Sequence, residues 1–361
     1  MPLPWFRKRR VVLFWFEFLP MRRGILAGGN WVVDHVKKVD VWPEQDALAN
    51  IISQSQGNGG SPFNVLVDLA RLGADFPLEG VGLVGQDSAG RWIREHCGKH
   101  HISVEQLQET DLRPTSYTDV MTVENTGRRT FFHYRGANAL LAPEHFQFAR
   151  TRAKIFHLGY LLLLDRLDKL LPGGQTAAAQ VFSEARKAGL QTSVDLVSED
   201  SDRFCAILPG TLPEVDLCFM NEFEAGRAAG LRLREGSRLR HDRLPEAARK
   251  LLALGIRQAL VIHFPEGASV FTRAGETFFQ GRVNLPAAQI QGTAGAGDAL
   301  AAGFLMAWHD HQPWAEALRL GACAAATSLT HVTCSDGILS AAECLALGQR
   351  LGFQEIGPHG S

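Results

Sequence analysis

The feature that most restricts the fold of this chain is an alternation, sustained over most of its length, between short apolar runs and longer stretches with helical spacing. Residues 25–27, 81–84, 155–158, 192–196, 217–220 and 260–264 are runs of strand length, most of them bounded by Gly, Asp, Asn or Pro. Between them, residues 63–72, 176–188 and 244–254 carry apolar residues at helical periodicity. Strand, helix, strand in sequence predicts parallel pairing, so the expected fold is α/β: a central, mostly parallel sheet with helices on both faces. Ligands of such sheets sit beyond the carboxyl ends of the strands.

Two segments break the alternation. One is residues 32–41; the other is residues 116–134, where Thr, Val, Phe and Tyr alternate with polar residues around Asn125-Thr126-Gly127, as in a hairpin. A small antiparallel sheet of these segments, standing off the main body, would act as a lid that excludes water from a reacting group. An edge hairpin with no moving role fits the periodicity equally well.

The chain has 361 residues, 45% hydrophobic and 21% charged, enough apolar surface for one large core. No repeat or low-complexity linker divides it, and a single domain is expected over residues 21–350, with a C-terminal tail at 351–361. Residues 1–20 are read as an N-terminal extension: Arg7-Lys8-Arg9-Arg10 precede an apolar run that Glu17 interrupts, which is short for a signal peptide and lacks a small-residue cleavage site. With 37 basic and 38 acidic residues the formal net charge is −1, which supplies no global field for nucleic acid or an anionic membrane. No other apolar stretch approaches membrane-spanning length. Six cysteines without CxxC or other metal-ligand spacing point to reduced thiols and a cytoplasmic location.

The strongest chemical signal is Gly292-Thr293-Ala294-Gly295-Ala296-Gly297-Asp298, which runs into a helical segment. Small residues before a helix let backbone N–H groups converge on an anion, and the helix N-terminus adds partial positive charge. Asp298 would repel a resting phosphate there; it makes sense as a base that takes the proton of an attacking hydroxyl, or as a dipole-favoured residue of the first helical turn. The segment is not a Walker A loop, lacking Gly-Lys-Ser/Thr, nor a complete GxGxxG fingerprint.

This segment and several others resemble the ribokinase-like (PfkB) family of carbohydrate and nucleoside kinases, from about Ile25 to about Gly337. The resemblance implies a ribokinase-like fold, ATP and Mg²⁺ as cofactors, and a small sugar-like substrate. It implies that Gly295, Ala296 and Gly297 form the anion hole and that Asp298 is the catalytic base. Gly59-Gly60-Ser61-Pro62-Phe63-Asn64 matches the sugar-binding signature, which makes Gly59, Gly60 and Asn64 substrate ligands; glycines let amides approach a polyol, and an Asn amide both donates and accepts. Asp34, after the first strand, is the implied grip on substrate hydroxyls, with a surface Asp beside Lys37 and Lys38 as the bland alternative. Asn221-Glu222-Phe223-Glu224 matches N-x-x-E, with Glu224 the implied Mg²⁺ ligand and Asn221 beside it; an N-cap with an acidic first turn fits the same residues. His263, Gly267 and Thr293 fall beside the implied nucleotide.

Position 292 is Gly where the family often has an Asp that helps place a monovalent cation, which leaves K⁺ dependence open while the Asp298 chemistry carries over. Ser61 and Pro62 also depart from the family loop, so the substrate does not carry over. The stretch from Arg129 to Asn138 offers Tyr134-Arg135 as a carboxylate clamp, as in kinases resembling those for 2-keto-3-deoxygluconate, with Arg135 and Asn138 as substrate ligands. A solvated Arg is the alternative. Trp31 and Phe131 are either sugar-stacking or packing aromatics. The remaining readings are a catalytically silent binder of the same fold and a homodimer through the lid. A dehydrogenase is excluded by the lack of an early Gly-rich βα turn.

Overall fold

A computed structural model of the protein describes residues 22–199 and 203–355. The extension at residues 1–20 and the end of the tail, residues 356–361, lie outside the described residues. In chain order the elements are β1 (Ile25–Gly29), β2 (Val32–Val39), β3 (Ile51–Gly59), α1 (Ser61–Leu72), β4 (Leu78–Gly85), α2 (Ser88–Lys99), β5 (Ser103–Thr110), β6 (Ser116–Val123), β7 (Arg129–Tyr134) and β8 (Ile155–Leu161). They continue with α3 (Ala177–Lys187), β9 (Gln191–Leu196), α4 (Arg203–Thr211), β10 (Leu217–Asn221), α5 (Glu222–Ala229), the two-residue pair β11 (Arg234–Glu235) and β12 (Arg238–Leu239), and α6 (Leu244–Ala253). The last are β13 (Ala259–Phe264), β14 (Gly267–Thr272), β15 (Thr277–Gly281), α7 (Ala296–His309), α8 (Trp314–Ser328) and α9 (Ala341–Leu351).

The main sheet has nine strands in the order β15-β14-β13-β10-β9-β8-β1-β4-β5. Pairing is parallel from β5 to β13, and antiparallel where β14 and β15 close the edge. Successive side chains of a strand point to opposite faces, and the apolar runs serve two cores at once. Leu217 and Phe219 enter a core with residues of α1, α2, α7, α8 and α9, whereas Cys218 and Met220 enter one with residues of α3 to α6. Ala259 and Val261 divide from Leu260 and Ile262 in the same way. That is why these runs carry no polar alternation.

A second sheet, in the order β3-β2-β6-β7, stands on one end of the first. Its outer pairings are antiparallel and its central one, β2 with β6, is parallel. The segments at 32–41 and 116–134 thus join, with β3 as an additional strand. Trp31 is fully buried, 5.4 Å from the Phe63 ring, and donates from Nε1 to the Val81 carbonyl at 2.9 Å. Of its two sequence readings, packing is the one realised.

Helix α7 is buried along almost its whole length. Its small residues allow this: a Cβ on Gly303 would lie 2.9 Å from the Leu320 carbonyl oxygen, and one on Gly321 would lie 2.7 Å from that of Leu300. Backbone-to-backbone packing against α8 fixes where the N-terminus of α7 emerges. No helix among the described residues is long and apolar enough to cross a membrane.

Candidate active site

Four neighbouring strands deliver polar side chains to one end of the main sheet: Tyr160 from β8, Asp195 from β9, Asn221 from β10 and His263 from β13. All lie at carboxyl ends, the place where a parallel sheet leaves backbone groups and loops free to meet a ligand. The N-terminus of α7 faces them. Gly295, its N-cap, has φ 78°, a left-handed conformation open to glycine without strain, and Ala296, Gly297 and Asp298 form the first turn.

Asp298 is 2% exposed. Its Oδ2 accepts bonds from Asn64 Nδ2 and from the Tyr160 hydroxyl, each 2.7 Å long, while the buried Oδ1 has no hydrogen-bond partner among the described residues. Asn64 is itself held by Asn58, whose Nδ2 donates to Asn64 Oδ1 at 2.7 Å and to Ser335 Oγ at 2.7 Å. Burial raises the pKa of Asp298, and the bonds from Asn64 and Tyr160 pull it back down. Asp195 is pushed well above the carboxylate range, first by burial and then by the charges of Asp298 and Glu224. Both acids are raised by burial, Asp195 further than Asp298, because the bonds from Asn64 and Tyr160 favour the charged form of Asp298 and oppose part of its rise.

Asp34 comes from β2 in the lid, and its Oδ2 accepts a bond from Cys334 Sγ at 3.8 Å. Burial raises its pKa to about 7, opposed by the Cys334 contact. The glycine pair has two separate reasons. A Cβ on Gly59 would lie 2.2 Å from Asp34 Oδ1, so a side chain there would displace the carboxylate; Gly60 has φ 79° and approaches the Asn30 carbonyl.

Asn221 caps α5: its Oδ1 accepts from the Glu224 amide at 2.9 Å, and Glu224 Oε2 accepts from the Asn221 amide at 2.8 Å. The N-cap reading of this motif is realised, and the same capping box holds the Glu224 carboxylate beside the helix start. Glu224 Oε1 takes further bonds from Asn221 Nδ2 and Ser198 Oγ, each 2.8 Å. Burial pushes its pKa up to about 7. The donor set fits a hydrated Mg²⁺, an ion that retains waters and needs only one or two carboxylates beside substrate phosphates, here the buried Glu224 beside the Asn221 amide.

Two cavities adjoin this centre. One, of about 530 Å³, is lined by Thr293, Ala296 and Gly297, by Asn221, His263 and Gly267, and by apolar residues including Leu300 and Leu329. The other, of about 570 Å³, is lined by Asp34, Gly60, Asn64, Gly295, Gly297 and Asp298, by Tyr160, Asp195 and Glu224, and by Thr118, Phe131 and His133 of the lid. Asn221, His263 and Gly297 line both. Burial lowers the pKa of His263 and of His133 to about 4, so both rings are neutral at pH 7.

Three expected substrate ligands do not line the second cavity: Gly59, which sits against Asp34, and Arg135 and Asn138, which lie elsewhere. Arg135 donates from Nη1 to Asp165 Oδ1 at 2.7 Å and does not line the second cavity. Asn138 is fully buried and closes both ends of its amide on Trp31, accepting from its N–H at 3.2 Å and donating to its carbonyl at 3.0 Å. Conversely, Tyr160, Asp195, Asn58 and Cys334 are site residues that the sequence reading passed over. A carboxylate inside the apolar run 192–196, and a Tyr two residues beyond the run 155–158, were the available signals, since both fall at strand carboxyl ends. Nothing local marks Asn58 or Cys334.

The fold and the site together define an α/β protein of the ribokinase fold, with the glycine-rich N-terminus of α7 between two cavities. The pfkB family carbohydrate kinase model matches residues 28–341, and the chain belongs to that family. It is 28% identical to the ribokinase of Arabidopsis thaliana over 252 residues, 69% of this chain and 62% of that protein. It is 28% identical to an ATP-dependent ribose-1-phosphate kinase of Halopiger xanaduensis over 284 residues, 79% of this chain and 84% of the relative. The solved structure of the Arabidopsis ribokinase complexed with ribose and ATP superposes with a TM-score of 0.73 at 21% identity, covering 91% of this chain and 99% of that one.

Proposed function

We propose that the protein transfers the γ-phosphoryl group of ATP to a hydroxyl of a neutral sugar or sugar-like molecule, with Asp298 as the base. The observation that carries this reading is the place of Asp298: on the first turn of α7, between two cavities that share Asn221, His263 and Gly297. ATP takes the first cavity, its base against the apolar wall and its phosphates toward the Gly295–Gly297 amides. The acceptor takes the second, where Asp34, Gly60 and Asn64 meet its hydroxyls. The attacking oxygen forms a bond to the γ-phosphorus as its proton passes to Asp298, and the bond from the γ-phosphorus to the bridging oxygen breaks, leaving ADP. Asn64 and Tyr160 hold the carboxylate in one orientation for that attack. Glu224 and Asn221 are the residues to hold Mg²⁺, which when bound supplies charge neutralisation for the phosphates.

A neutral acceptor is favoured over a sugar acid by the second cavity's charge. Its acidic residues are Asp34, Asp195, Glu199, Glu224 and Asp298, and even with Asp195 protonated the described lining residues include no Lys or Arg to offset the others. Arg135, the candidate clamp, is paired with Asp165. The lid's contribution of Thr118, Phe131 and His133 to the cavity supports its role in excluding water. Six unpaired cysteines support a cytoplasmic location. A coupled ADP-release screen over neutral sugars, sugar acids and nucleosides is the test. Turnover with neutral sugars or nucleosides is expected; turnover confined to acids contradicts the neutral-acceptor reading, and silence alongside ATP binding favours a binder.

A further inference from the structure

The monovalent-cation site that accompanies the family resemblance does not fit this chain, and the misfit has a cause. Gly292 offers no side-chain oxygen, and the space beside it is taken: a Cβ built on Gly292 would lie 2.7 Å from a terminal guanidinium nitrogen of Arg129 and 2.6 Å from the His331 carbonyl oxygen. Arg129 is the first residue of lid strand β7, opposite Thr122 of β6. Its guanidinium is half-buried, and no carboxylate among the described residues pairs with it. Gly292 is buried, and its N–H bonds to the Leu329 carbonyl, 3.3 Å away, so carbonyl oxygens of the 329–331 turn flank the spot. Carbonyls beside a buried glycine would suit a cation; here a cation is already present, covalently tied to the lid. A free ion would meet like charge there.

We infer that Arg129 is a built-in cation: its guanidinium takes the place of a monovalent ion behind the 292–297 loop, so that nucleotide binding proceeds without K⁺. The inference rests on the kinase reading above. Arg129 lines neither cavity, so it acts as a positioning residue, setting the loop and the potential at the N-terminus of α7. Because the charge arrives on β7, it also links the placement of the lid to the anion loop. An Asp at position 292 in place of Gly would have no room while Arg129 stays, which ties the two departures together.

The test is calorimetry of ADP with Mg²⁺ in tetramethylammonium, sodium and potassium chloride at equal ionic strength. For the unaltered protein the Kd is expected to agree within about twofold across the three salts. Arg129→Gln is expected to weaken binding about tenfold in tetramethylammonium, and the double variant Arg129→Gln/Gly292→Asp to regain affinity in K⁺ alone. ADP binding by the unaltered protein that tightens about fivefold or more in K⁺ overturns the inference and leaves the kinase reading intact. Salt-independent, undiminished binding by Arg129→Gln overturns it as well. Absence of ADP binding in every salt defeats the nucleotide reading and the inference together. The salt series on the unaltered protein needs no variant, so it decides even where Arg129→Gln fails to fold.

Discussion

The charge state of Asp298 depends on the groups that touch it. Two donors on Oδ2 oppose part of the rise that burial causes, and removing either should raise the carboxyl's pKa further. With Asp298 as the proposed base, kcat/KM is expected to rise with pH through this pKa, which burial raises from its ordinary value. Tyr160→Phe is expected to move the acid limb of that profile to higher pH with a modest loss at the plateau; an unshifted limb would dissociate Tyr160 from the base. Asp34 and Glu224, both raised to about 7, bear on stability. Between their ordinary values and about 7 the folded protein binds more protons than the unfolded chain, so stability from these two groups is full at low pH and is lost as pH rises through about 7. Mg²⁺ at Glu224 would favour the ionised form. Melting curves are therefore expected to show Mg²⁺ with ADP stabilising more at pH 8 than at pH 5, and equal shifts would count against Glu224 as ligand.

Among the elements, those that pack into two cores are the ones legible from sequence. Strands β1, β4, β8, β9, β10 and β13 and helices α1, α3 and α6 each coincide with a run or period visible in the residues, because burial on both sheet faces demands unbroken apolar runs. Strand β3 is different. Residues 51–56 are exposed, so no buried face imposes an alternating pattern on IISQSQGNG. The site divides likewise: motif residues that share a helix start, such as Asn221 with Glu224, are legible because local capping geometry joins them, whereas Asn58 and Cys334 reach Asp298's surroundings only through tertiary packing. The α5 cap carries a prediction. Asn221→Ala loses the side-chain acceptor at the helix start, with an expected cost of about 1 kcal/mol in denaturant unfolding, and it removes the Nδ2 bond that orients Glu224. Stability within error of the unaltered protein would show the cap to be redundant.

For the molecule as a whole, the lid is both a wall of the acceptor cavity and an exposed surface. Phe131 lines the cavity, while Phe132, its neighbour in β7, is 52% exposed and stacks 6.0 Å from Trp42. With Ile51 and Ile52 also exposed on β3, the lid carries exposed apolar area, and we propose that a second copy covers it. Light scattering is expected to give twice the chain mass, and Phe132→Glu to shift it toward one. A monomer at micromolar concentration would leave that surface without a partner copy. In the proposed reaction the two cavities and the α7 N-terminus between them make one path for the phosphoryl group, with Asp298 as the base on which transfer depends. The decisive measurement is ADP release and calorimetric ATP binding side by side on Asp298→Asn, using the best acceptor from the screen. Turnover should fall by about 10²–10⁴-fold while nucleotide affinity stays nearly unchanged; a variant that still turns over at the unaltered rate would contradict the account.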